Sequence, residues 1–233
     1  MSEKNSLKKQ RTKPISLITM SDPASPISEQ YKTIRTNIQY AMVDKTLQTL
    51  AITSSNASEG KSTSTINLAI VFANSNKKVL LVDADMRNPT IAKTFELINN
   101  RGLSTLLSNK TMTTEEVLQP TNLENLNILP SGPIPPNPSE LLDSLQMKRL
   151  IEEWKNNYDL IIFDTPPILA VTDAQILASK VDGTILVARE KIAEKSALLK
   201  AKELLIMVKA TIIGAIYNDA SSVKDQGYYY GVK

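Results

Sequence analysis

Apolar residues recur along this chain in two alternating rhythms. The first is a short continuous run, as in Thr49-Leu50-Ala51-Ile52-Thr53, Val79-Leu80-Leu81-Val82 and Leu160-Ile161-Ile162-Phe163. Runs of this kind predict strands buried on both faces, as in a parallel sheet. Strands are expected near 48–53, 79–83, 126–130, 159–164, 183–188 and 211–217. The second rhythm has helical spacing and fills the segments near 61–74, 101–108, 138–156, 172–179 and 193–208. A further helix is expected from Ser28, as N-cap, through about Val43, with Ile27, Tyr31, Ile34, Ile38 and Ala41 on its apolar stripe. No internal repeat stands out. Strand–helix alternation predicts an α/β fold with a doubly wound, mostly parallel sheet. The expected organisation is a flexible basic segment over 1–27, one domain over 28–218 and a flexible tail over 219–233.

The first strand runs into a small polar loop, Ser54 to Glu59, and then into Gly60-Lys61-Ser62-Thr63 at the start of an apolar helical stretch. Strand, loop and helix start are the context of a phosphate-binding P-loop. Loop amides and the helix N-terminus would cradle phosphate oxygens. Lys61 would reach the β- and γ-phosphates, and the Ser62 hydroxyl would ligate Mg²⁺. The pattern GxxxxGK[ST] is imperfect, because Ser55 stands where the first glycine is expected. The second run ends in Asp83-Ala84-Asp85 and the third in Asp164-Thr165-Pro166-Pro167. Ligands of parallel α/β sheets bind outside the carboxyl ends of the strands. Three strand ends thus deliver Lys61 and Ser62, Asp83 and Asp85, and Asp164 to one crevice. The expected metal ligands are Ser62, Asp85 and Asp164 (the last as the Walker-B carboxylate), and the expected nucleotide contacts include Ser58, Glu59, Gly60, Lys61, Ser62 and Thr63. Of Asp83 and Asp85, one can face metal and phosphoryl group while the other stands behind it or acts as base.

Composition narrows the chemistry. The 233 residues hold one sizeable domain and contain no Cys and no His. Thiol nucleophiles, Ser-His-Asp triads and His/Cys zinc sites are excluded. A general base must be a carboxylate, a lysine or water, which favours phosphate chemistry on Mg²⁺. No apolar stretch approaches the roughly 20 residues of a membrane-spanning helix. The basic, polar N-terminus lacks the apolar core of a secretory signal, so a cytoplasmic location is expected. A net charge of +3 is too small to argue for nucleic acid, and none is expected as a partner. The basic cluster Lys4, Lys8, Lys9, Arg11 and Lys13 reads either as a solvated tail or as a contact to an anionic membrane surface.

Four prolines between Ser131 and Pro138 make a stiff, extended connector after the third expected strand. At the other end, Tyr228, Tyr229 and Tyr230 lie beside Gly227 and Gly231 in a terminal segment whose composition argues disorder. They read as phosphoryl acceptors on a flexible tail or as an aromatic docking segment. Glu29, Lys32 and Arg35 lie along one strip of the first long helix, at about 300° per step of three residues.

Together SEQYKTIRTN, EGKST, VLLVDADMRNPT, SGPIPPNPSELL, IIFDTPP and the tyrosine cluster resemble the bacterial P-loop tyrosine kinases of capsule and exopolysaccharide assembly. The likeness spans roughly Ser28 to the C-terminus. It implies a MinD/ParA-related fold, ATP-dependent autophosphorylation on tyrosine, phosphorylation of other protein substrates, and a ring-shaped homo-oligomer. It also implies a separate membrane-protein activator that holds the chain at the inner face of the membrane. By this resemblance Asp83 is the base for the tyrosine hydroxyl, Tyr228 to Tyr230 are acceptors, and Glu29, Lys32 and Arg35 contact a neighbouring subunit. In MinD-like ATPases an asparagine at the position of Asn218 contacts adenine, although a strand-ending turn asparagine reads almost as well. The chain departs from the family by Ala57-Ser58 in place of Pro-Gly and by Lys32 in an ExxRxxR helix. The competing reading is a ParA/MinD-type ATPase switch, which commonly carries an additional lysine at the start of its loop. Residues 54–58 have none. A third reading is a catalytically weak scaffold for a membrane partner.

Overall fold

The computed structural model describes residues 15–42 and 46–220. Elements follow in the order α1 (Ile18–Ser21), α2 (Pro26–Ala41), β1 (Thr49–Ser54), α3 (Lys61–Ala73), β2 (Val79–Asp83), α4 (Ile91–Thr94), α5 (Leu103–Ser108), β3 (Gln119–Pro120) and β4 (Leu126–Leu129). The second half adds α6 (Pro138–Asp143), α7 (Leu145–Lys155), β5 (Leu160–Asp164), α8 (Asp173–Ala178), β6 (Gly183–Arg189), α9 (Lys195–Met207) and β7 (Ile212–Asn218). The sheet order is β3-β4-β2-β5-β1-β6-β7, and all pairs are parallel except β3 with β4.

The uninterrupted apolar runs follow from helices on both faces. Leu50, Ile52, Leu81, Ile162 and Val187 pack against the face that carries α2 and α3. Leu80, Val82, Ile161 and Phe163 pack against the face that carries α5, α6 and α7. Successive residues of one strand therefore serve opposite layers, and both layers are predominantly apolar. The helix α3 is apolar nearly all round and buried from Ser64 to Ala73, because α1 and α2 cover the side turned away from the sheet.

Several boundaries differ from expectation for local reasons. The cap of α2 is Ser25, whose hydroxyl accepts from Ser28 N, and Pro26 occupies the first turn. Ser28 is buried instead, donating its hydroxyl to the Asp22 carbonyl at 2.7 Å. The segment from Ile15 to Ile27 does not behave as a flexible lead-in. Its α1 packs on α3, with Thr19 N and Oγ1 donating to Asn67 Oδ1 at 3.0 and 2.8 Å, and Asn67 Nδ2 donating back to the Ser16 carbonyl. The basic cluster and the tyrosine tail lie outside the described residues. The 138–156 helix is two helices, because Ser144 turns extended at ψ 155°, donates to the Leu141 carbonyl and caps Met147 N. The two-residue β3 has no counterpart among the expected strands; its Pro120 is tolerated because β3 is an edge strand.

Candidate functional site

The carboxyl ends of β1, β2 and β5 meet at one cavity of about 520 Å³. Its walls include Ser54, Ala57, Ser58, Gly60, Lys61, Ser62 and Thr63 from the loop after β1, and Asp85, Arg87, Asn88 and Thr90 from the segment after β2. Pro166 and Pro167 contribute from the end of β5. The register pairs Asp83 directly with Asp164 across adjacent strands, so the two carboxylates are neighbours by construction.

The loop is braced from within. The Glu59 carboxylate is fully buried and accepts from Ser55 Oγ at 2.6 Å and from the backbone N–H groups of Ser55 and Asn56 at 3.2 Å. Glu59 therefore shapes the loop, and its side chain is not among the groups lining the cavity. Ser55 needs no left-handed backbone, so a Cβ at that position is accommodated. The left-handed positions are Ser58, at φ +67°, and Gly60, at φ +87°. A side chain at Gly60 would be strained at this φ, and its Cβ would lie 1.9 Å from Asn218 Nδ2 and displace it. The helix α3 begins at Lys61 with no side-chain cap, and its first internal bond runs from Ser64 N to the Gly60 carbonyl. The amides of Lys61, Ser62 and Thr63 have no intrahelical acceptor and bear the positive end of the helix dipole. That arrangement binds anions.

Lys61 reaches across the site. Its Nζ lies 2.9 Å from Asp164 Oδ1, 3.5 Å from Asp85 Oδ2 and 3.1 Å from Ser62 Oγ. Burial alone would lower the Lys61 pKa, but Asp164, Asp85 and Asp83 outweigh it and raise the value. Burial raises the Asp85 carboxyl above its usual range against the opposing pull of Lys61. Asp83 is pushed up to about 8, first by burial and then by Asp164. The two DxD aspartates diverge because β2 ends at Asp83, so the alternation that places residues two apart on one face does not reach Asp85. Asp85 faces the cavity, whereas Asp83 has no exposure and spends Oδ2 on the N–H groups of Thr90 and Ile91 at 3.2 and 3.1 Å. Asp83 thus anchors the start of α4 through Oδ2, while its Oδ1 is buried without a hydrogen-bond partner.

The remaining expected residues are distributed as follows. Asn218 does not line the cavity; it donates to the Glu59 carbonyl at 3.2 Å from beneath the loop. Lys32 pairs with Glu29 at 2.7 Å on the exposed side of α2. Arg35 turns inward and donates to the Val71 carbonyl of α3 at 3.2 Å. Residues that sequence reasoning missed include Thr65, whose hydroxyl is 3.2 Å from Asp164 Oδ1, and Arg87, which forks onto the buried Asp173 at 2.9 and 3.1 Å. Arg87 lies four residues past the β2 strand end inside the recognisable DADMRNP stretch, which was the one available signal.

A family described as an AAA domain matches residues 47–212. Tyrosine-protein kinase YwqD of Bacillus subtilis (strain 168) is 50% identical over 218 residues, covering 93% of this chain and 92% of its own length. The chain belongs to the bacterial tyrosine-protein kinase family. The kinase domain of Escherichia coli tyrosine kinase ETK superposes on this member of the family with a TM-score of 0.86 at 34% identity, covering 97% of this chain and 88% of that one. The kinase fold extends to MinD of Pyrococcus horikoshii, solved with Mg-ADP, at a TM-score of 0.62 and 25% identity over 73% of this chain and 70% of that one. In this family setting, the loop around Lys61 is an ATP-binding P-loop.

Proposed function

We propose that this chain is an ATP-dependent protein-tyrosine autokinase serving capsular or exopolysaccharide synthesis or export. The observation that carries the reading is the convergence of Lys61, Asp85 and Asp164 at the end of an anion-binding loop. Phosphoryl transfer asks mainly for positioning and charge neutralisation, which this arrangement supplies.

The donor set suits Mg²⁺. Asp164 Oδ2 is buried without a hydrogen-bond partner, and the surrounding donors are hard oxygens. Among the described residues no group of three or more carboxylates, histidines or cysteines forms a complete cation cage. Mg²⁺ commonly takes one or two protein carboxylates and fills its shell with phosphates and water. Ser62 and Asp164 would hold it, and Asp85, expected as a third ligand, is left to meet the tyrosyl hydroxyl. When bound, the ion neutralises charge on the β- and γ-phosphates.

The chain's own groups do the rest. The amides of residues 61–63 bind phosphate oxygens. Lys61 gives up part of its hold on Asp85 and Asp164 to meet charge that develops on the transferred group. Asp85, at the cavity wall, is the carboxylate that an entering tyrosyl hydroxyl meets and the one we assign as proton acceptor in place of Asp83. Tyr228, Tyr229 and Tyr230 remain the proposed acceptors. We further propose a homo-oligomer in contact through the exposed Glu29–Lys32 side of α2, other tyrosine-phosphorylated protein substrates, and a membrane-protein activator that brings the kinase to the inner face of the membrane. No helix among the described residues is long and apolar enough to cross a membrane itself.

Purified protein incubated with ATP, with and without cytoplasmic peptides of candidate activators, should gain phosphate on tail tyrosines mapped by mass spectrometry. ATP hydrolysis with no protein phosphorylation under any of these conditions would favour the MinD-like switch instead.

A further inference from the structure

Two successive carbonyls of the P-loop are held from outside the loop. Arg189, the last residue of β6, donates from Nη1 to the Ser58 carbonyl at 3.3 Å. Asn218, the last residue of β7, donates to the Glu59 carbonyl at 3.2 Å. Arg189 and Asn218 are register partners, so the two donors project from adjacent strand ends. The guanidinium is aimed by Asp219, whose Oδ2 accepts from Nε at 3.0 Å and Nη2 at 2.7 Å.

The carbonyl that Arg189 grips belongs to Ser58, which has a Cβ and yet stands at φ +67°. L-residues visit this region at a cost, and they stay there only when the surroundings fix them. Glycine would adopt it freely. Ser58 and Gly60 together set the turn that presents the amides of residues 61–63. A loop that relaxes at Ser58 carries those amides out of alignment.

We propose that Arg189 is a positioning residue for nucleotide binding. It acts through Ser58, holding the P-loop in a left-handed turn that the serine alone does not favour, with Asp219 orienting the guanidinium. Arg189 need not touch the nucleotide. Its ion pair with Asp219 is solvent-exposed and contributes little to global stability. The inference rests on the reading of this loop as the nucleotide site.

The test measures ADP affinity, with Mg²⁺ present, by titration calorimetry beside the melting temperature. Arg189→Ala should weaken ADP binding by about tenfold while the melting temperature stays close to that of the unmodified chain. In the Ser58→Gly background the same substitution should weaken binding by less than about twofold, because glycine holds the turn unaided. Asp219→Asn, which keeps volume and removes the orienting charge, should weaken binding in the same direction by a smaller factor. Unchanged affinity in both Arg189→Ala and Asp219→Asn overturns the proposal. So does an equal loss from Arg189→Ala in the unmodified and Ser58→Gly backgrounds, since Arg189 would then act by a route other than Ser58. If the unmodified chain binds no ADP, the nucleotide reading itself falls and takes the proposal with it, an outcome visible before any variant is made.

Discussion

Lys61 Nζ and Asp164 Oδ1 stand 2.9 Å apart, both shielded from water, although they are separated by 103 residues of chain. The bond joins the first turn of α3 to the end of β5 and makes the lysine serve two masters. It compensates buried carboxylates and is the charge available to phosphate. Lys61→Met removes both services. Tyrosine phosphorylation should be abolished, and removal of one partner from a buried ion pair should cost stability of about 3–5 kcal/mol. Radiolabel transfer and denaturant unfolding check the two effects separately. Wild-type labelling in this variant would sink the site assignment.

The two DxD aspartates should part company. Asp85→Asn should retain ATP binding and lose tyrosine phosphorylation, since an amide cannot take the hydroxyl proton. Asp83→Asn should keep measurable phosphorylation, because the amide oxygen can still accept from Thr90 and Ile91. The reverse ranking, measured as kcat with calorimetric ATP binding alongside, would return the base role to Asp83.

Asp83 also sets a pH dependence. Its carboxyl is pushed up to about 8 by burial and by Asp164, against 3.8 for the free group. A raised acid pKa means that the folded state binds a proton that the unfolded state has already lost across this interval. Stability should therefore fall as pH rises from about 4 to about 8. Asp85, raised in the same direction, adds to the trend. Thermal melts between pH 5 and 8 should show a declining melting temperature that is flatter in Asp83→Asn, and a rising curve would contradict the assignment.

The strip on α2 should divide by function. Lys32→Ala breaks an exposed pair with Glu29 and should change stability by under about 1 kcal/mol. Arg35→Ala removes a bond to the Val71 carbonyl and should cost more, about 1–3 kcal/mol, because the carbonyl loses its donor at the α2–α3 contact. Light scattering on both variants tests assembly independently. If Arg35→Ala is as stable as the unmodified chain but Lys32→Ala is not, the inward reading of Arg35 is wrong.

Tyr228, Tyr229 and Tyr230 changed together to Phe should leave a stable, unphosphorylated oligomer after ATP. The unmodified assembly should loosen as each phosphate adds about −1.5 to −2 charge. Identical masses for both proteins before and after ATP would remove the link, and strong labelling of the triple variant would move the acceptors elsewhere.

What the sequence disclosed and withheld follows from range. The strands β2 and β5 were legible because burial on both faces leaves an unbroken apolar run. The P-loop was legible because its chemistry is local and its order fixed. The break at Ser144 was hidden because a single capping serine looks like any other polar residue in a helical pattern. Thr19 against Asn67, and Arg189 against Ser58, were beyond reach: their spans of 48 and 131 residues leave no periodic trace. The different settings of Asp83 and Asp85 were hidden for a similar reason. Strand alternation would place Asp83 and Asp85 on one face, and only the end of β2 at Asp83 and the packing of α4 over it decide which one is sealed.

The pairing of Asp83 with Asp164 across β2 and β5 makes strand alignment and competence one event. A slip of one residue would turn every side chain of β2 to the opposite layer and carry its aspartates out of register. The sheet's interior thus works as an assembly jig, admitting no half-built catalyst. Core substitutions such as Leu81→Ala should then reduce the number of working molecules in a preparation while each survivor keeps its full turnover.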